Sequence, residues 1–377
     1  MPGRIWLVLH LDAKKRGSME QQLVALASRL RNAGVALTYV FARPPAAFPG
    51  EELRDLGVDV RALDFSRPAQ AAARLAGWLH ESRPQIVHFH FVEAYSPLVL
   101  AAKLSGAKVA VHDHLCIAAD GGLRAQLKRV RGALLNRAVD LRVAVSQFAA
   151  RTVAEAHGVP RERIRVVENG IDLGRFDGVD GSSIRRELDL GDAPLLACVA
   201  RLDEQKGGES LIRAMPQVHR GAHLALVGEG PCAPAWRELA AQLGVARQVH
   251  FMGLRNDVER VLAAASIVVV PTHCEEAFGL AAIEAMAASR PVIVSQSGEM
   301  PAMVGDGGLV VPQRDPAALH AAVNRLLDDP LLARRLGREG RVRAERLYGI
   351  DRYVDRMVEV YRELGQPCDP EQSRLAA

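Results

Sequence analysis

The chain alternates short apolar runs with amphipathic segments, and this alternation most constrains its fold. Seven near-continuous apolar runs in the first half are predicted to be strands: residues 5–10, 36–42, 58–63, 86–91, 109–112, 141–146 and 164–167. Unbroken apolar runs are typical of strands buried on both faces. Segments between them, such as residues 19–32, carry one apolar stripe at helical spacing. Such alternation predicts parallel βαβ units and a doubly wound α/β sheet.

The same rhythm restarts after a polar stretch, residues 172–194, which is predicted to be a linker. Six more strands are predicted, at residues 195–200, 223–227, 249–252, 267–270, 291–295 and 309–311. Helices are predicted between them and in a long tail: residues 208–215, 234–243, 258–264, 280–288 and 316–364. We therefore predict two Rossmann-like domains, 1–172 and 173–350, with a last helix at about 351–366 packing back on the first. Two such sheets facing each other would bind ligands in a cleft at the carboxyl ends of their strands.

Length and composition fit this division. A chain of 377 residues suits two or three domains of ~150 residues each. Its longest apolar runs, such as residues 261–270, fall far short of the ~20 residues that a membrane span needs. The five cysteines are odd in number and form no C-x-x-C pair. This pattern argues against a disulfide scaffold or structural zinc and predicts a cytoplasmic protein.

The formal charge of +4 hides an asymmetry. Residues 1–170 hold 24 basic and 15 acidic side chains, net +9, and residues 171–377 hold 24 basic and 29 acidic, net −5. Segment 123–137 combines leucines at helical spacing with Lys and Arg and has no acidic residue. Such a helix can bind peripherally to an anionic membrane, which for a cytoplasmic protein means the inner face of that membrane. Alternatively, it can dock on the sheet with a solvated basic face. No aromatic residues interleave with these charges, which argues against nucleic acid as a partner.

Segment 276–284 points to an anion bound beside hydroxyl groups. Glu276 and Glu284 are eight positions apart, so on a helical path they lie about two turns, or ~12 Å, from each other. Gly279 and Leu280 stand at the helix start, where free N–H groups and the dipole favour an anion. Carboxylates gripping hydroxyls on each side of a diphosphate would explain this pattern. Spacing alone leaves open a buried helix with two solvated glutamates.

Two other loops that follow predicted strands add charge and backbone access. Arg201 and Lys206 could meet at one phosphate group or form a solvated basic loop. Gly228 and Gly230 let the backbone approach a ligand. No G-x-G-x-x-G follows a strand and no G-x-x-x-x-G-K-[ST] occurs. This argues against dinucleotide dehydrogenases and P-loop enzymes.

Together these motifs resemble the C-terminal half of family 4 retaining glycosyltransferases. They occur in the family's order: Arg201…Lys206-Gly207, Val227-Gly228-Glu229-Gly230-Pro231, Phe251-Met252-Gly253 and Glu276-Ala277-Phe278-Gly279-Leu280…Glu284-Ala285-Met286. Asn169-Gly170-Ile171-Asp172 matches the sequence that closes the family's N-terminal domain. The resemblance covers nearly the whole chain. It implies the GT-B fold and a hexosyltransferase-type enzyme that moves a sugar from a nucleoside-diphosphate sugar to a hydroxyl acceptor.

The resemblance also implies site residues. Arg201 and Lys206 would bind the donor diphosphate and neutralise the leaving phosphate. Glu276 would hold the donor sugar with His112 beside it, and Glu284 would hold the ribose. The implied catalytic set is therefore Arg201, Lys206, His112 and Glu276. Further donor contacts are implied for Gly17, Gly228, Gly230, Gly253, Leu254, Arg255, Phe278, Gly279 and Leu280.

The chain departs from the family pattern in two loops. The family usually has paired glycines in the first loop, whereas Gly17 is followed here by Ser18. Loop 296–301 contains the single Gly298 where the family commonly has two glycines, so no donor preference follows from it.

Four histidines, His88, His90, His112 and His114, lie at the ends of two predicted strands. Strand alternation places His88 with His90 on one face, and His112 with His114 likewise. No carboxylate or cysteine ligand has matching spacing and no D-x-D triplet occurs, so we expect no metal and no other cofactor. We expect three of them to be satisfied polar groups at the cleft rim, with His112 as the functional exception.

The expected function is sugar transfer with retention, in bacterial-type envelope glycan, polysaccharide or glycolipid biosynthesis. Acceptor contacts are expected from residues 95–97 and 113–122. A GT-B sugar-nucleotide 2-epimerase and a secondary-metabolite glycosyltransferase are alternatives, and the epimerase would need no acceptor. A non-catalytic sugar-nucleotide-binding protein is more distant, because Arg201 and Lys206 are intact.

Overall fold

The computed structural model describes residues 3–13, 17–45, 48–116, 132, 136–219 and 221–365. The chain divides into two compact units, Met1–Gly170 with Ile350–Ala377, and Ile171–Gly349. Each unit is built on one sheet in which every assigned strand pair is parallel.

The first unit has a seven-stranded sheet in the order β3-β2-β1-β4-β5-β6-β7. Its strands are β1 Arg4–Leu9, β2 Ala36–Phe41, β3 Asp59–Ala62, β4 Ile86–His90, β5 Lys108–Asp113, β6 Leu141–Ala144 and β7 Ile164–Val166. Alternate residues of β1 enter two separate cores, with Ile5 and Leu7 on one face and Trp6 and Val8 on the other. Helices cover both faces, which explains why the strands have near-continuous apolar sequences.

The second unit has a six-stranded sheet in the order β10-β9-β8-β11-β12-β13. Its strands are β8 Leu195–Val199, β9 His223–Val227, β10 Val249–Gly253, β11 Ile267–Val270, β12 Val292–Ser295 and β13 Gly308–Val311. The strand order reverses between β1 and β4 in the first sheet and between β8 and β11 in the second. Doubly wound sheets bind ligands outside the carboxyl ends of the strands at this switch point.

Helices connect the strands in both units. In the first unit they are α1 Ser18–Asn32, α2 Gly50–Asp55, α3 Pro68–Ser82, α4 Pro97–Leu104 and α5 Gln147–His157. In the second they are α6 Ser182–Glu187, α7 Gly208–Ala214, α8 Ala233–Gln242, α9 Val258–Ala264, α10 Leu280–Ala287, α11 Met300–Val304, α12 Pro316–Asp328 and α13 Pro330–Leu347. The last helix, α14 Ile350–Glu363, returns to the first unit.

The predicted linker, residues 172–194, is wrong as a description of this segment. It contains α6, whose Ile184 is buried, and a Cβ at Gly181 would collide with the backbone of Ala264 at the end of α9. The segment is polar because only one side of a six-residue helix needs to be apolar. The predicted helical tail is interrupted as well. Pro330 starts α13, whose first N–H groups are capped by the Asp329 carboxylate.

Helix α14 is the most strongly amphipathic part of the first unit's core. Tyr353, Val354, Met357 and Tyr361 are buried in the same core as the inner face of α1. At the rim of this packing, Arg29 of α1 forms an ion pair with Asp355. The chain thus leaves the first unit after residue 170 and completes it with its last helix.

Two sequence predictions concern membranes. No helix among the described residues is both long enough and apolar enough to cross a bilayer. The basic segment 123–137 lies outside the described residues except for Gly132, Asn136 and Arg137.

Candidate active site

Most of the predicted donor residues of the second unit lie in loops that leave its sheet at one edge, whereas Leu280 and Glu284 lie in α10. These loops follow β8, β9, β10 and β11, and a fifth, after β12, adjoins them. Because β8 and β11 flank the switch point, their loops take the position where doubly wound sheets hold ligands.

The loop after β8 carries Arg201 and Lys206. Its short 3-10 turn, Glu204–Lys206, is capped by Asp203, whose carboxylate accepts a hydrogen bond from the Lys206 backbone N–H at 3.2 Å. Gly207 ends the turn at φ +69°, and a Cβ there would collide with the carbonyl oxygen of Pro271. Arg201 is 73% exposed and pairs with Asp203 at 2.6 Å. The turn therefore fixes the Lys206 backbone and leaves the Arg201 guanidinium projecting into solvent.

Lys206 and Glu276, two of the implied catalytic residues, lie in different loops and form an ion pair. The Lys206 Nζ donates to Glu276 Oε2 at 2.7 Å, and the side chains are 27% and 19% exposed. Lys206 is the single lysine among residues 171–377, where the other 23 basic residues are arginines. A compact ammonium thus stands at this position in a chain that otherwise uses arginine.

Backbone bonds tie the loop after β8 to the loop after β11. The Gln205 carbonyl oxygen accepts hydrogen bonds from the His273 backbone N–H at 2.7 Å and from Thr272 Oγ1 at 3.0 Å. His273 Nε2 lies 2.8 Å from Ser210 Oγ, at the start of α7. The two loops are therefore held together beside the Lys206–Glu276 pair.

The prediction that Glu276 and Glu284 share one helical path is wrong for Glu276. Helix α10 begins only at Leu280, and Gly279 before it has φ +97°, in the left-handed region that stops a helix from extending backwards. Glu276 therefore lies in the loop, and Glu284 lies in the second turn of α10. Phe278 is buried, with its ring edge-on to Tyr348 at 5.8 Å between centroids. The N-terminus of α10, at Leu280, follows Glu276 after three residues.

The loop after β12 holds Glu276 in place, and sequence reasoning missed this role. Ser297 Oγ accepts from the Glu276 backbone N–H at 3.0 Å and donates to the Cys274 carbonyl oxygen. The Glu276 carbonyl oxygen accepts from the Glu299 N–H at 3.0 Å. Gly298 has φ +50°, and a Cβ there would collide with the Glu276 backbone. The sequence marked this loop only by its departure from the family's paired glycines. That departure did not indicate what Ser297 and Gly298 do.

Gly228 and Gly230 serve close backbone packing. Gly228 has φ +139°, and a Cβ there would collide with the Ala200 carbonyl oxygen, whereas one at Gly230 would collide with Leu202. Gly228 also donates its N–H to the Gly253 carbonyl oxygen at 2.9 Å. The two glycines thus lie where the ends of β8, β9 and β10 come together. A side chain at either position would collide with the loop after β8, which explains why both residues are glycine.

The turn after β10 was expected to line the nucleobase pocket. Leu254 is 66% exposed. Arg255 instead donates to Asp257 at 2.8 and 2.9 Å and to Glu187 at 2.7 Å. These hydrogen bonds raise the pKa of the Arg255 guanidinium, and the bonds to Asp257 contribute most. Arg255 therefore stabilises the turn through its side chain.

Gly17 in the first unit is the residue before α1. Its carbonyl oxygen accepts the Gln21 N–H at 3.1 Å, and its φ of −93° is open to any residue. Ser18, which replaces the family's second glycine, is buried at the first position of α1. Residues 14–16 of the expected loop lie outside the described residues.

His112 lies on β5, buried in a cluster with His88, His90 and His114. The expectation that the other three are satisfied groups at a rim is wrong for His88 and His90. Both are fully buried, and each has an unpartnered Nε2 among the described residues. Burial lowers the pKa of His90 to about 3 and the pKa of the His112 imidazole well below its usual range. His112 is therefore a neutral imidazole.

An ion pair fixes the strand end beside His112. Asp113 accepts from Arg142 Nε of β6 at 2.9 Å, and the same guanidinium donates to Asn136 Oδ1 at 2.6 Å. Arg142 is almost fully buried. The Asp113 carboxylate, expected in the acceptor loop, is thus engaged by Arg142, and residues 117–122 lie outside the described residues.

Comparison with family models identifies two stretches of the chain. Residues 19–175 match the model described as Glycosyltransferase Family 4. Residues 193–329 match the model described as Glycosyl transferases group 1.

Named relatives agree with these matches. The D-inositol 3-phosphate glycosyltransferase of Segniliparus rotundus is 30% identical over 354 residues, which cover 87% of this chain and 75% of that protein. A GDP-mannose-dependent monoacylated alpha-(1-6)-phosphatidylinositol monomannoside mannosyltransferase of Corynebacterium glutamicum is 34% identical over 223 residues. That match covers 55% of this chain and 58% of the relative.

A solved structure confirms the expected GT-B type of fold, with two Rossmann-like parallel-sheet domains. Anabaena HepE, solved in complex with UDP-glucose, matches with a TM-score of 0.82 at 20% identity, over 96% of this chain and 99% of that one. With the family matches and the named relatives, this leads to one conclusion. The chain belongs to glycosyltransferase family 4, the group 1 glycosyl transferases, and is a transferase that acts on sugars.

Proposed function

We propose that the protein transfers a sugar from a nucleoside-diphosphate sugar to a hydroxyl acceptor, with retention at the anomeric carbon. The observation that carries this proposal is the Lys206–Glu276 pair at the switch point of the second sheet, held by three tied loops. An ammonium has three N–H donors, so Lys206 can keep Glu276 and also donate to phosphate oxygens. Two relatives named for phosphorylated or phosphatidylinositol acceptors support a transferase of this type.

Charge supports placing the donor diphosphate beside Lys206. The exposed Arg201 side chain can reorient and donate two hydrogen bonds from its planar guanidinium to a phosphate. Lys206 offers a single point charge that is held in place. The N–H groups at the start of α10 add partial positive charge. Glu276 and Glu284 then accept hydrogen bonds from the hydroxyls of the sugar and the ribose. The relatives and the HepE complex support a nucleotide-sugar donor of this form.

In the proposed reaction the bond between the anomeric carbon and the β-phosphate oxygen breaks as the sugar becomes oxocarbenium-like. The electron pair leaves with the diphosphate, whose added charge Arg201 and Lys206 stabilise. The acceptor hydroxyl attacks the same face of the sugar, and its proton passes to the leaving phosphate. We propose that no metal ion is required, because two cationic side chains supply the positive charge. Turnover that persists in a chelator is the expected result, and its loss would contradict this part.

Arg201→Ala and Lys206→Ala test the assignment of leaving-group stabilisation. Each is expected to lower kcat at saturating donor by at least ~100-fold, since one preorganised donor to a developing oxyanion is worth 10²–10³ in rate. Arg213→Ala is the matched control, because this exposed arginine of α7 pairs with Glu209. Near wild-type kcat in either site variant would overturn the assignment.

The donor and the reaction type can be identified together. UDP-, GDP-, ADP- and TDP-sugars are each added to the protein, and the one that raises its unfolding temperature most is the donor candidate. NMR of that sugar nucleotide with the enzyme, with and without acceptors, then follows the anomeric centre. A new glycoside of unchanged configuration supports the proposal, whereas conversion without acceptor indicates an epimerase.

We also propose a lipid-linked or otherwise anionic acceptor in envelope glycan, polysaccharide or glycolipid synthesis. The excess of basic residues in the first half supports this, as does the lipid acceptor in the name of the Corynebacterium relative. Each cation near an anionic surface contributes about 1 kcal/mol. Replacing Arg124, Lys128, Arg129 and Arg131 with Gln should weaken binding to phosphatidylserine vesicles by at least ~100-fold. Unchanged co-sedimentation would contradict membrane contact through this segment.

A further inference from the structure

Four histidines of the first unit, His88, His90, His112 and His114, form one cluster, and the first three are buried. His88 and His90 point to the same face of β4, and His90 stands opposite His112 of β5 in the sheet register. Ring centroids lie 4.2 Å apart for His88 and His90, 4.8 Å for His90 and His112, and 5.3 Å for His88 and His112. Their exposures are 0%, 0% and 2%. Three imidazoles thus meet in the interior, where histidines are costly to bury.

The hydrogen bonds of the cluster leave nitrogens unpaired. His88 Nδ1 lies 2.9 Å from the Tyr361 hydroxyl of α14, and His90 Nδ1 lies 3.0 Å from His114 Nε2. Among the described residues, Nε2 of His88, Nε2 of His90 and both ring nitrogens of His112 have no partner. A buried polar atom without a partner costs about 1–3 kcal/mol. Several such atoms on three adjacent rings form a place where a bound species would offset this cost.

The ring nitrogens that do have partners suit metal coordination. A metal-bound histidine almost always gives its other N–H to a second group, which fixes the tautomer. If Nδ1 of His88 and of His90 donate to Tyr361 and His114, each Nε2 keeps a lone pair that can bind a metal ion. One nitrogen from each of His88, His90 and His112 lies within 4.8 Å of the others. A tetrahedral zinc with Zn–N bonds near 2.1 Å holds its nitrogens ~3.4 Å apart, so shifts below ~1 Å per ring complete the geometry.

We propose that His88, His90 and His112 bind one transition-metal ion of the zinc, cobalt or nickel class. Three imidazoles without a carboxylate select such ions over Mg²⁺ and Ca²⁺, which prefer oxygen ligands. Water completes four-coordination, because His114 Nε2 is the partner of His90 Nδ1. His114, which follows β5, lies beside the three proposed ligands and is only partly buried. The resemblance places His112 beside the donor sugar, and an ion bound here would give this histidine a structural role instead. The occupancy of the site can be measured without any turnover.

Cobalt binding to the full chain tests the site. The protein, freed of affinity tags and treated with a chelator, is titrated with Co²⁺ and its visible d–d bands are recorded. We expect saturation at one ion per chain, intense bands of four-coordinate cobalt, and their loss when Zn²⁺ is added. A weak six-coordinate spectrum, or no saturable binding, would overturn the proposal.

Variants locate the ion. His90→Gln and His112→Gln should weaken Co²⁺ binding by at least ~100-fold, since loss of even an outer partner costs 10–100-fold. Tyr361→Phe, which removes such an outer partner, should weaken it by ~10-fold. His250→Gln is the matched control, because His250 belongs to a stacked histidine pair with His223 in the second unit. It should bind like wild type, and equal binding by all the variants would refute the site.

A measurement on wild type alone covers the case in which a histidine variant fails to fold. X-ray absorption of the zinc-loaded protein counts imidazole ligands from multiple scattering. Three or four imidazoles support the proposal, and two or fewer contradict it.

Discussion

At the scale of single residues, the candidate donor site depends on a few close approaches between loops. Lys206 and Glu276 lie 70 positions apart and meet because the loops after β8 and β11 share backbone hydrogen bonds. Gly298, in a third loop, lies so close to the Glu276 backbone that there is no room for a Cβ. All of these bonds join protein groups, so the fold itself sets the positions of both charges.

Gly298→Ala tests this preorganisation. The new Cβ would collide with the Glu276 backbone, so donor affinity should fall at least ~10-fold, one lost hydrogen bond being worth ~1 kcal/mol or more. Gly178→Ala is the matched control in the same unit. It has a similar φ of +64° and open space around the missing Cβ, so it shares only the backbone strain of ~1–2 kcal/mol. Equal donor affinity in both variants, measured by calorimetry, would show that Gly298 does not position Glu276.

Buried histidines give the metal-free protein an acid-sensitive stability. Burial lowers the pKa of His90 to about 3, whereas the unfolded chain takes up the proton near pH 6.5. The unfolded state therefore binds more protons below pH 6.5, and the free energy of unfolding falls as the pH drops from there towards 3. His90→Gln should remove ~1.4 kcal/mol per pH unit from this slope. Urea unfolding in a chelator at several pH values checks it, and an unchanged slope would contradict a neutral His90.

At the scale of elements, the sequence predicted the strands and most helices closely, but it missed that the helical tail of residues 316–364 is three separate helices. Strands buried on both faces must be apolar throughout, so sequence and structure agree within about two residues along both sheets. Glu276 was misplaced because eight-residue spacing fits a helix whether or not Gly279 interrupts it. The buried state of His88 and His90 was missed because polar residues near a strand end suggest a surface, and the sequence did not show that Tyr361 of α14 lies against His88.

The role of α14 in the first unit can be measured by stability. Met357 is fully buried between α14 and α1, so Met357→Ala should lower the free energy of unfolding by about 2–5 kcal/mol. Glu359→Ala, on the exposed face of the same helix, should change it by less than ~0.5 kcal/mol. Equal, small effects in denaturant titrations would mean that α14 contributes little to this core.

At the scale of the whole molecule, the final helix changes the charge comparison. Residues 350–377 carry 4 basic and 6 acidic side chains, so assigning them to the first unit reduces its net charge from +9 to +7. The second unit becomes −3 instead of −5. The asymmetry persists, and the unit that holds the proposed diphosphate site is still the acidic one. Its cations must therefore act locally, at Lys206 and Arg201.

The central claim is that Lys206 binds the diphosphate of the donor, and nucleotide affinity tests it most directly. Calorimetry compares the nucleoside diphosphate of the donor identified by screening with the corresponding free nucleoside, on wild type, Lys206→Met and the control Arg213→Met. A charge-assisted hydrogen bond is worth ~1.5–3 kcal/mol, so Lys206→Met should bind the diphosphate ~10- to 150-fold more weakly. Its affinity for the nucleoside, and both affinities of Arg213→Met, should match wild type. Equal diphosphate affinity in Lys206→Met and wild type would contradict the claim.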